Sequence, residues 1–297
     1  MTQNTDKSLD DATRPGIIGL GRMGRAIARR LADKGLDVKG WNRSALTKEK
    51  SRNLGIPVLA GIEDLAEASD ILILSLFDDA AVSEVLERLG KLNLSGKLIV
   101  DTSTVGPETL RSFSQGIGRA GGSVIDAPIS GGPETVLAGT AGLYIGGDAE
   151  DVVRFQPLAE LISNHIVHVG DLGSGTTAKI VNNMMLLGYW QCLKEAIQVG
   201  KKSGLSAGQI LEILSSSPSA NAMLSTRLPV ILGESDAVGF TVSGVAKDGA
   251  LLASVSRQLG VPAPAIEAGL ASFRDAEARG YGEADLAVMV RDAHLKA

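Results

Sequence analysis

The chain has 297 residues, a length that suits two domains of ordinary size better than one compact core. A formal net charge of −5 and an aromatic content of 3% argue against a nucleic-acid partner, which requires basic patches and stacking side chains. No apolar stretch approaches the roughly 20 residues of a membrane span, so the sequence predicts no membrane partner.

The N-terminal segment is polar from Met1 to Arg14 and lacks the apolar core of a signal peptide. We expect residues 1–15 to form a disordered tail. Cys192 is the only cysteine, so no intrachain disulfide can form and a reducing compartment is the simpler assumption. These observations favour a cytoplasmic protein.

The apolar run Gly16–Leu20 is typical of a strand. A glycine-rich turn follows it and leads into a helical pattern. Its glycines spell G-x-G-x-x-G in the strand–turn–helix context that a dinucleotide-binding fingerprint requires. The first glycine makes the tight turn, the second admits a pyrophosphate and the third packs the helix closely on the strand. The residues predicted to contact the cofactor here are Gly19, Leu20, Gly21, Arg22, Met23 and Gly24.

The next predicted strand, Asp37–Trp41, ends in Asn42-Arg43-Ser44. An NAD-binding chain usually places an acidic residue there to accept from the ribose 2′-hydroxyl, and none is present. The guanidinium of Arg43 can pair with a 2′-phosphate, and Asn42 and Ser44 can donate to it. The sequence therefore favours NADP, with NADPH preferred over NADH.

Strand and helix patterns alternate along the first half of the chain. This alternation predicts an α/β fold: a Rossmann-type, doubly wound parallel sheet with helices on both faces. The further predicted strands are Val58–Ala60, Asp70–Leu76, Lys97–Asp101, Ser123–Asp126, Gly142–Ile145 and His165–Val169. The predicted helices between them are Ala45–Asn53, Ala80–Leu89 and Pro107–Ala120.

From Ser174 to about Gly204 the sequence reads as one long helix, and the remainder has helical periodicity without a convincing strand. We therefore predict an NADP-binding domain over residues 16–172 and an all-helical substrate and dimerisation domain over residues 173–297. The long helix would lie between domains or subunits, because much of it is apolar, which suggests a homodimer or higher homo-oligomer. Its apolar residues are Ile180, Val181, Met184, Met185, Leu186, Leu187, Trp190, Leu193 and Ile197.

Hydride transfer to or from a small-molecule substrate also needs a group that exchanges a proton with the substrate oxygen. His165, His168 and His294 are poor candidates, and no His/Cys/Asp cluster has the spacing of metal ligands. Lys179 falls in the second turn of the long helix, with Asn183 one turn later on the same face. Partial burial near a helix N-terminus lowers the pKa of a lysine, so Lys179 is the candidate general acid/base.

Four ordered segments resemble motifs of the β-hydroxyacid dehydrogenase family. They read DTSTVGP at Asp101–Pro107, DAPISGG at Asp126–Gly132, GTTAKIVNN at Gly175–Asn183 and KDGAL at Lys247–Leu251. The family patterns are D-x-S-T-x-x-P, D-A-P-V-S-G-G, G-x-x-x-K-x-x-N-N and K-D-x-x-L. With the glycine fingerprint, the resemblance extends from Gly16 to about Pro264.

This resemblance implies an NADP-dependent oxidoreductase that interconverts a small β-hydroxyacid and its semialdehyde. It implies that Lys179 carries the proton and that Asn183 orients the substrate. It also implies that Ser130, Gly131 and Gly132 hold the substrate carboxylate with a hydroxyl and backbone amides, a sensible anion cradle. Thr104 and Lys247 would contact the nicotinamide half of the cofactor.

The chain departs from the family pattern in one region. The segment Gly239–Ala246 lacks the usual D-F-x-P-x-F motif, and Gly249 stands where the family commonly has Leu. Two other functions stay open: an NADPH-dependent imine reductase and a non-catalytic NADP-binding protein. The related imine reductases generally replace the catalytic lysine, so Lys179 favours carbonyl and alcohol chemistry. The absence of an arginine cluster disfavours a sugar phosphate as substrate.

Overall fold

The first half of the chain contains a mixed sheet, as seen in a computed structural model that describes residues 13–47, 52 and 54–295. The strand order is β2-β1-β3-β4-β5-β7-β6, and β8 pairs with β7. The strands from β1 to β5 are parallel neighbours, whereas β7 runs antiparallel to both β5 and β6. The strands are β1 Pro15–Ile18, β2 Lys39–Trp41, β3 Ile71–Leu74, β4 Leu98–Asp101, β5 Ser123–Asp126, β6 Ile129–Ser130, β7 Ala141–Gly146 and β8 Ser163–Gly170.

Helices cover both faces of this sheet. Successive strand residues point to opposite faces, so each strand contributes apolar side chains to both layers of packing. In β4, Leu98 and Val100 belong to one buried cluster with helices α1 and α6, and Ile99 belongs to a second with helices α2 to α4. The predicted doubly wound α/β fold is thereby confirmed. These helices are α1 Arg22–Asp33, α2 Ile62–Ala68, α3 Asp79–Leu89, α4 Pro107–Arg119, α5 Pro133–Ala138 and α6 Ala149–Ile162.

The described residues after Gly173 are mainly helical, as predicted. Helix α7, Ser174–Lys202, is 29 residues long. Helices α8 Ala207–Ser216, α9 Ala222–Ile231, α10 Val242–Gln258 and α11 Pro264–Ala276 follow, then a π-helical turn at Glu277–Tyr281 and helix α12 Val288–Leu295. The chain divides into two compact units, Met1–Ile180 and Val181–Ala297, so the boundary falls inside α7. The domain boundary at residues 172 and 173 stays a prediction.

Several predicted elements differ from the structure. Val58 forms only an isolated bridge with Gly40 and not a strand, because the chain leaves the edge of the sheet after one residue pair. The predicted helix Ala45–Asn53 and tail 1–15 fall largely outside the described residues. The sequence patterns also missed α2, α5, α6 and the short strand β6. Within the described ranges, no helix is long and apolar enough to cross a bilayer.

The unusual Gly249 is explained by packing within the second unit. A Cβ built at Gly249 would lie 3.3 Å from both Leu187 of α7 and Leu270 of α11. A Cβ added at Gly269 of α11 would lie 2.9 Å from the Leu187 Cγ. Leu187 therefore occupies the space that a larger residue at position 249 would take, and the helices approach through two glycines.

Candidate active site

The glycine turn between β1 and α1 has the geometry of an anion-binding loop. Gly19 has φ +96°, a left-handed conformation that favours glycine, and a Cβ at Gly24 would collide with the Gly19 carbonyl oxygen. By contrast, a Cβ at Gly21 would meet no atom within 4 Å, and this residue is exposed. Gly19 and Gly24 are thus required by the close packing of the turn, whereas the backbone at Gly21 is exposed.

The start of α1 is suited to a negatively charged ligand. The helix begins after Gly21 without a side-chain cap, and its first turn contains no acidic residue. Its first amide groups and the positive end of the helix dipole therefore attract an anion. Arg22 is exposed and Met23 is half-buried in this turn, and Leu20 is buried beneath it. This arrangement fits the pyrophosphate of a nicotinamide dinucleotide.

The residues after β2 have partners that the sequence did not reveal. The Asn42 Oδ1 accepts from the Leu20 amide at 2.9 Å, and its Nδ2 donates to the Ser44 carbonyl at 2.8 Å. Asn42 thereby ties the end of β2 to the glycine turn. Arg43 and Ser44 are exposed, and the Arg43 guanidinium pairs with Glu84 of α3 at 2.9 Å. Glu84 thus brings a carboxylate to the end of β2, although it lies 41 residues from Arg43 in the sequence.

The loop that precedes Thr104 is fixed by polar contacts at the end of β4. The buried Asp101 accepts from the Ser103 amide at 3.0 Å, and the Thr102 hydroxyl donates to the Leu74 carbonyl at 2.7 Å. Ser103 Oγ accepts from the Leu76 amide at 2.9 Å. Thr104 itself is half-buried. Its backbone therefore follows a well-anchored loop at the carboxyl end of the sheet, where doubly wound folds bind ligands.

Asp101 has an unusual environment for a carboxyl group. Its side chain is buried, and its Oδ2 has no hydrogen-bond partner among the described residues. Burial raises the pKa of Asp101 to about 6, and the neighbouring Asp126, its partner across the β4–β5 pair, adds to the increase. Two buried carboxyls on adjacent strands disfavour each other's ionised form.

The predicted substrate cradle lies on β6 and the turn that follows. Ser130 is half-buried, Gly131 is exposed with φ +130°, and Gly132 precedes α5. A Cβ at Gly131 would meet the Thr135 hydroxyl, and one at Gly132 would meet the Glu134 carboxylate. Neither glycine can be replaced without moving a side chain of α5.

Lys179 lies on α7 and is buried, with 7% of its surface exposed. The first turn of α7 is held by Asp126, which accepts hydrogen bonds from Gly173 and Thr176. Burial raises the pKa of Asp126, although these hydrogen bonds favour its ionised form. The sequence identified the lysine but not the carboxylate that holds the start of its helix.

In the second unit, the predicted Asn183 and Lys247 are joined by a residue outside the predicted site. Asp248 accepts from the Asn183 Nδ2 at 2.8 Å and pairs with the Lys247 Nζ at 2.6 Å. Asn183 also accepts from Asn182 at 3.0 Å. Asn183 and Asp248 are buried, and the Lys247 side chain is 19% exposed. Lys247 is therefore part of a largely buried polar cluster of the unit.

The atypical segment before Lys247 is organised by Asp285. This buried carboxylate accepts from the Gly239 amide at 2.9 Å and from the Phe240 amide at 3.3 Å, and it pairs with Arg227 at 3.3 Å. A Cβ at Gly239 would overlap the Arg227 guanidinium. The Thr241 hydroxyl then caps α10 by accepting from Gly244 at 3.1 Å. Asp285 and Arg227 thus fix the backbone that leads into α10, the helix that contains Lys247.

The histidines take no part in the described polar clusters. His165 and His168 are exposed on β8, and the His168 Nε2 lies 2.9 Å from the Gly147 carbonyl oxygen. The His294 side chain lies outside the described part of the structure. The glycine turn, Thr104, Ser130 and Lys179 belong to the first unit, and Asn183 and Lys247 belong to the second.

Two family models together match most of the chain. The NAD binding domain of 6-phosphogluconate dehydrogenase matches residues 14–170, more than half of the sequence. The NAD-binding domain of NADP-dependent 3-hydroxyisobutyrate dehydrogenase matches residues 173–292. The chain belongs to the β-hydroxyacid dehydrogenase family, and it is an NAD(P)-dependent oxidoreductase.

Individual relatives are similar over almost their whole length. The 2-(hydroxymethyl)glutarate dehydrogenase of Eubacterium barkeri is 28% identical over 95% of each chain. The 2-hydroxy-3-oxopropionate reductase of Escherichia coli is 28% identical over 95% of this chain and 97% of its own. Among solved structures, the 3-hydroxyisobutyrate dehydrogenase of Mycobacterium tuberculosis has a TM-score of 0.82 at 24% identity, covering 94% of this chain and 98% of its own. An imine reductase from Pseudomonas sp. is more distant, with a TM-score of 0.64 at 21% identity, covering 95% and 99%.

The buried carboxyl of Asp101 generates a prediction about stability. Its pKa is about 6 in the folded chain and about 3.9 in an unfolded one, so folding takes up a proton between these values. The contribution of Asp101 to the free energy of unfolding therefore falls as the pH rises from about 4 to about 6. We expect Asp101→Asn to equal the wild type near pH 4 and to exceed it near pH 7 by up to about 3 kcal/mol.

Urea unfolding of both proteins across this pH range measures the difference directly. The amide keeps the shape of the carboxyl, and its oxygen can still accept from Ser103. Carboxyls distant from Asp101 titrate equally in both proteins, so they cancel in the comparison, whereas Asp126 ionises more easily in the variant because its charged neighbour is gone. A stability difference that does not change with pH would contradict the prediction.

Proposed function

We propose that the chain is an NADP-dependent enzyme that interconverts a small, unphosphorylated β-hydroxyacid and its semialdehyde. The observation that carries this proposal is the buried Lys179, which lies early in α7 within a G-x-x-x-K-x-x-N-N segment. Lysines are seldom buried unless they have a partner or a chemical task. The names of two relatives support the substrate class, because 2-(hydroxymethyl)glutarate and 2-hydroxy-3-oxopropionate are both small acids.

In the proposed mechanism, the Lys179 Nζ exchanges a proton with the substrate oxygen. During oxidation the neutral amine accepts the hydroxyl proton, and during reduction the ammonium donates it to the forming alkoxide. The glycine turn, Thr104 and Lys247 would hold the nicotinamide cofactor, which would supply hydride transfer at the carbon that bears the substrate oxygen. Ser130, with the amides of Gly131 and Gly132, binds the substrate carboxylate, and Asn183 orients the substrate.

Within the second unit, Asp248 holds two of the proposed contacts in place. It accepts from the Asn183 amide group, so the Asn183 Oδ1 is the atom turned away from it. It also neutralises Lys247, the proposed contact of the nicotinamide half of the cofactor. A buried carboxylate that binds both side chains restricts their rotamers, which is how binding groups are kept in a productive geometry.

The two alternatives have less support. The imine reductase neighbour shares the fold at a lower TM-score, and this chain has a lysine at position 179. A protein that only senses NADP would not need a buried lysine together with the Ser130 and Asn183 motifs. We also propose that the enzyme works in the reducing cytoplasm, consistent with its single cysteine.

Lys179→Ala tests the reaction. We expect wild type to oxidise NADPH with at least one of a panel of short semialdehydes, and the variant to lower turnover roughly 10²- to 10⁴-fold, because general acid/base catalysis is lost. The affinity for NADPH should stay close to that of the wild type. Absorbance of the reduced nicotinamide gives the rate, and fluorescence titration gives the affinity.

Lys179→Arg is the matched control, because it keeps the positive charge but holds its proton at any working pH. It should lose almost as much activity as Lys179→Ala. Near-normal turnover in Lys179→Ala would assign the proton to another group. Activity of the wild type with cyclic imines, but with no semialdehyde or hydroxyacid, would replace the proposal by the imine reductase alternative.

The NADP preference rests on the residues after β2. Arg43 is exposed at the end of this strand, and its guanidinium pairs with Glu84 on the surface. Exposed ion pairs contribute only about 0–1 kcal/mol, so a doubly charged 2′-phosphate can displace Glu84 at little cost. Ser44 adds a second exposed donor beside it.

Arg43→Ala tests this preference. We expect wild type to bind NADPH more tightly than NADH by about tenfold to a thousandfold, which corresponds to one or two charge-assisted contacts. The variant should lose affinity for NADPH and keep that for NADH. Arg29→Ala, which removes an exposed arginine paired with Asp33 on α1, is the control and should change neither. Equal loss for both cofactors in Arg43→Ala would show that Arg43 does not bind the phosphate.

We further propose that the enzyme is a homodimer that pairs through one face of α7. The residues of this face are spaced three, four or seven positions apart and form an apolar stripe, defined as Val181, Met185, Gly188, Cys192 and Val199. Val181, Met185 and Val199 are 60%, 76% and 66% exposed, whereas other predicted apolar residues of α7, such as Trp190, are buried. The predicted burial of Val181 and Met185 would then arise from a second copy.

The spacing of the stripe favours an identical partner. Positions 181 and 199, like positions 188 and 192, are equally far from residue 190. An antiparallel copy on a two-fold axis would therefore place valine on valine and small residues on small residues, with Met185 beside Glu195. Such self-complementarity is what an isologous interface requires. A Cβ at Gly188 would meet no atom within 4 Å, so the centre of the stripe is open.

Val199→Lys should convert the dimer to a monomer, because an ammonium would be buried against valine in an apolar contact. Light scattering after size-exclusion chromatography measures the mass. Leu259→Lys introduces the same charge at a residue that is 72% exposed outside the stripe, and it should leave the dimer intact. A monomeric wild type, or a dimer that persists in Val199→Lys, would exclude this interface.

A further inference from the structure

The carboxylate of Asp126 acts as an N-terminal cap of α7, although it comes from a strand 50 residues away in sequence. Its Oδ1 accepts from the Gly173 amide at 2.7 Å. Its Oδ2 accepts from the Thr176 amide at 2.5 Å and from the Thr176 hydroxyl at 2.8 Å. The two amides are among those that a helix leaves without an internal partner at its start. One buried side chain therefore satisfies two amides at the start of α7.

Close backbone packing makes this contact rigid. A Cβ at Gly175 would lie 2.9 Å from both the Asp126 carbonyl oxygen and its Oδ2. A Cβ at Gly146 of β7 would lie 2.5 Å from the Asp126 Oδ1 and 2.7 Å from the Gly175 amide nitrogen. The helix start, β5 and β7 thus meet at a point where only glycine fits. The first turn of α7 cannot shift along the sheet without breaking its hydrogen bonds to Asp126.

Lys179 follows Thr176 by three residues, so the two side chains project from the same side of α7. Lys179 is buried, which leaves its side chain few alternative positions. We propose that Asp126 is a positioning residue: by fixing the first turn of α7, it sets the place from which the Lys179 amine reaches the substrate. This proposal rests on the function proposed above for Lys179.

The charges around Asp126 are consistent with a structural anion. Asp101, its neighbour across β4 and β5, is the carboxyl with the pKa of about 6, and it takes the proton more readily. Asp126 is the one that accepts from three donors, which favours its ionised form. An anion at the start of α7 also stabilises the helix through its dipole.

Thr176→Val tests the proposal, because it removes one of the three bonds while keeping the shape of the side chain. We expect turnover to fall about 3- to 30-fold, since a small displacement of a catalytic group costs up to roughly 10²-fold in rate. The affinity for NADPH should not change. Thr176→Ser keeps the hydroxyl, so its turnover should stay close to that of the wild type. Thr177→Val, which removes only a bond to the Gly173 carbonyl within the helix, should have wild-type activity.

The decisive measurement repeats Thr176→Val in the Lys179→Ala background with single-turnover kinetics. If Asp126 acts through Lys179, the second substitution should change the residual rate less than twofold, because no amine is left to position. The same fold-loss in both backgrounds would show a purely structural role and overturn the proposal. Asp126→Asn should reproduce the pattern with a larger loss if it folds, and Thr176→Val decides the question if it does not. A fully active Lys179→Ala would instead refute the proposed function.

Discussion

The contact between the Asp126 carboxylate and the first turn of α7 is the constraint on which the first unit depends. Asp126 is the last residue of a buried strand, and its carboxylate accepts hydrogen bonds from the start of a helix that begins four residues after the end of the last strand. Removing three donors from water is costly unless they are paired, so this junction has one favourable geometry. Gly146 and Gly175 then prevent larger residues from opening it. The position of Lys179 is a consequence of this packing.

A related arrangement occurs independently in the second unit. Asp248 binds Asn183 and Lys247, and Asp285 binds the backbone that leads into the helix of Lys247. Each carboxylate is buried, and each joins parts of the chain that are far apart in sequence. Buried charges are tolerated only when paired, so each one excludes alternative packings of its neighbours. The unit keeps its polar side chains in place through these few anions.

The sequence predicted features that depend on local spacing. The glycine turn, the apolar strands and the long helix follow from residues within one or two turns of each other, and all three are found. The short strand β6 has only two residues, and α6 contains Pro157, so neither has a clear periodic pattern. The role of Asp126 was not predicted, because its partners lie 47 and 50 residues away. The bond between Asp248 and Asn183 was not predicted either, because it spans 65 residues.

The same distinction between local and distant contacts bears on the proposed preference for NADP. The absence of an acid directly after β2 is readable from the sequence, but Glu84 brings a carboxylate to Arg43 from α3. Both side chains are exposed, at 70% and 49%, so solvent screens their attraction. A phosphate carries more charge than a carboxylate and can accept bidentate bonds from a guanidinium, so it competes well for Arg43. If Arg43 binds the 2′-phosphate as proposed, Glu84 weakens that binding by only as much as the exposed pair contributes.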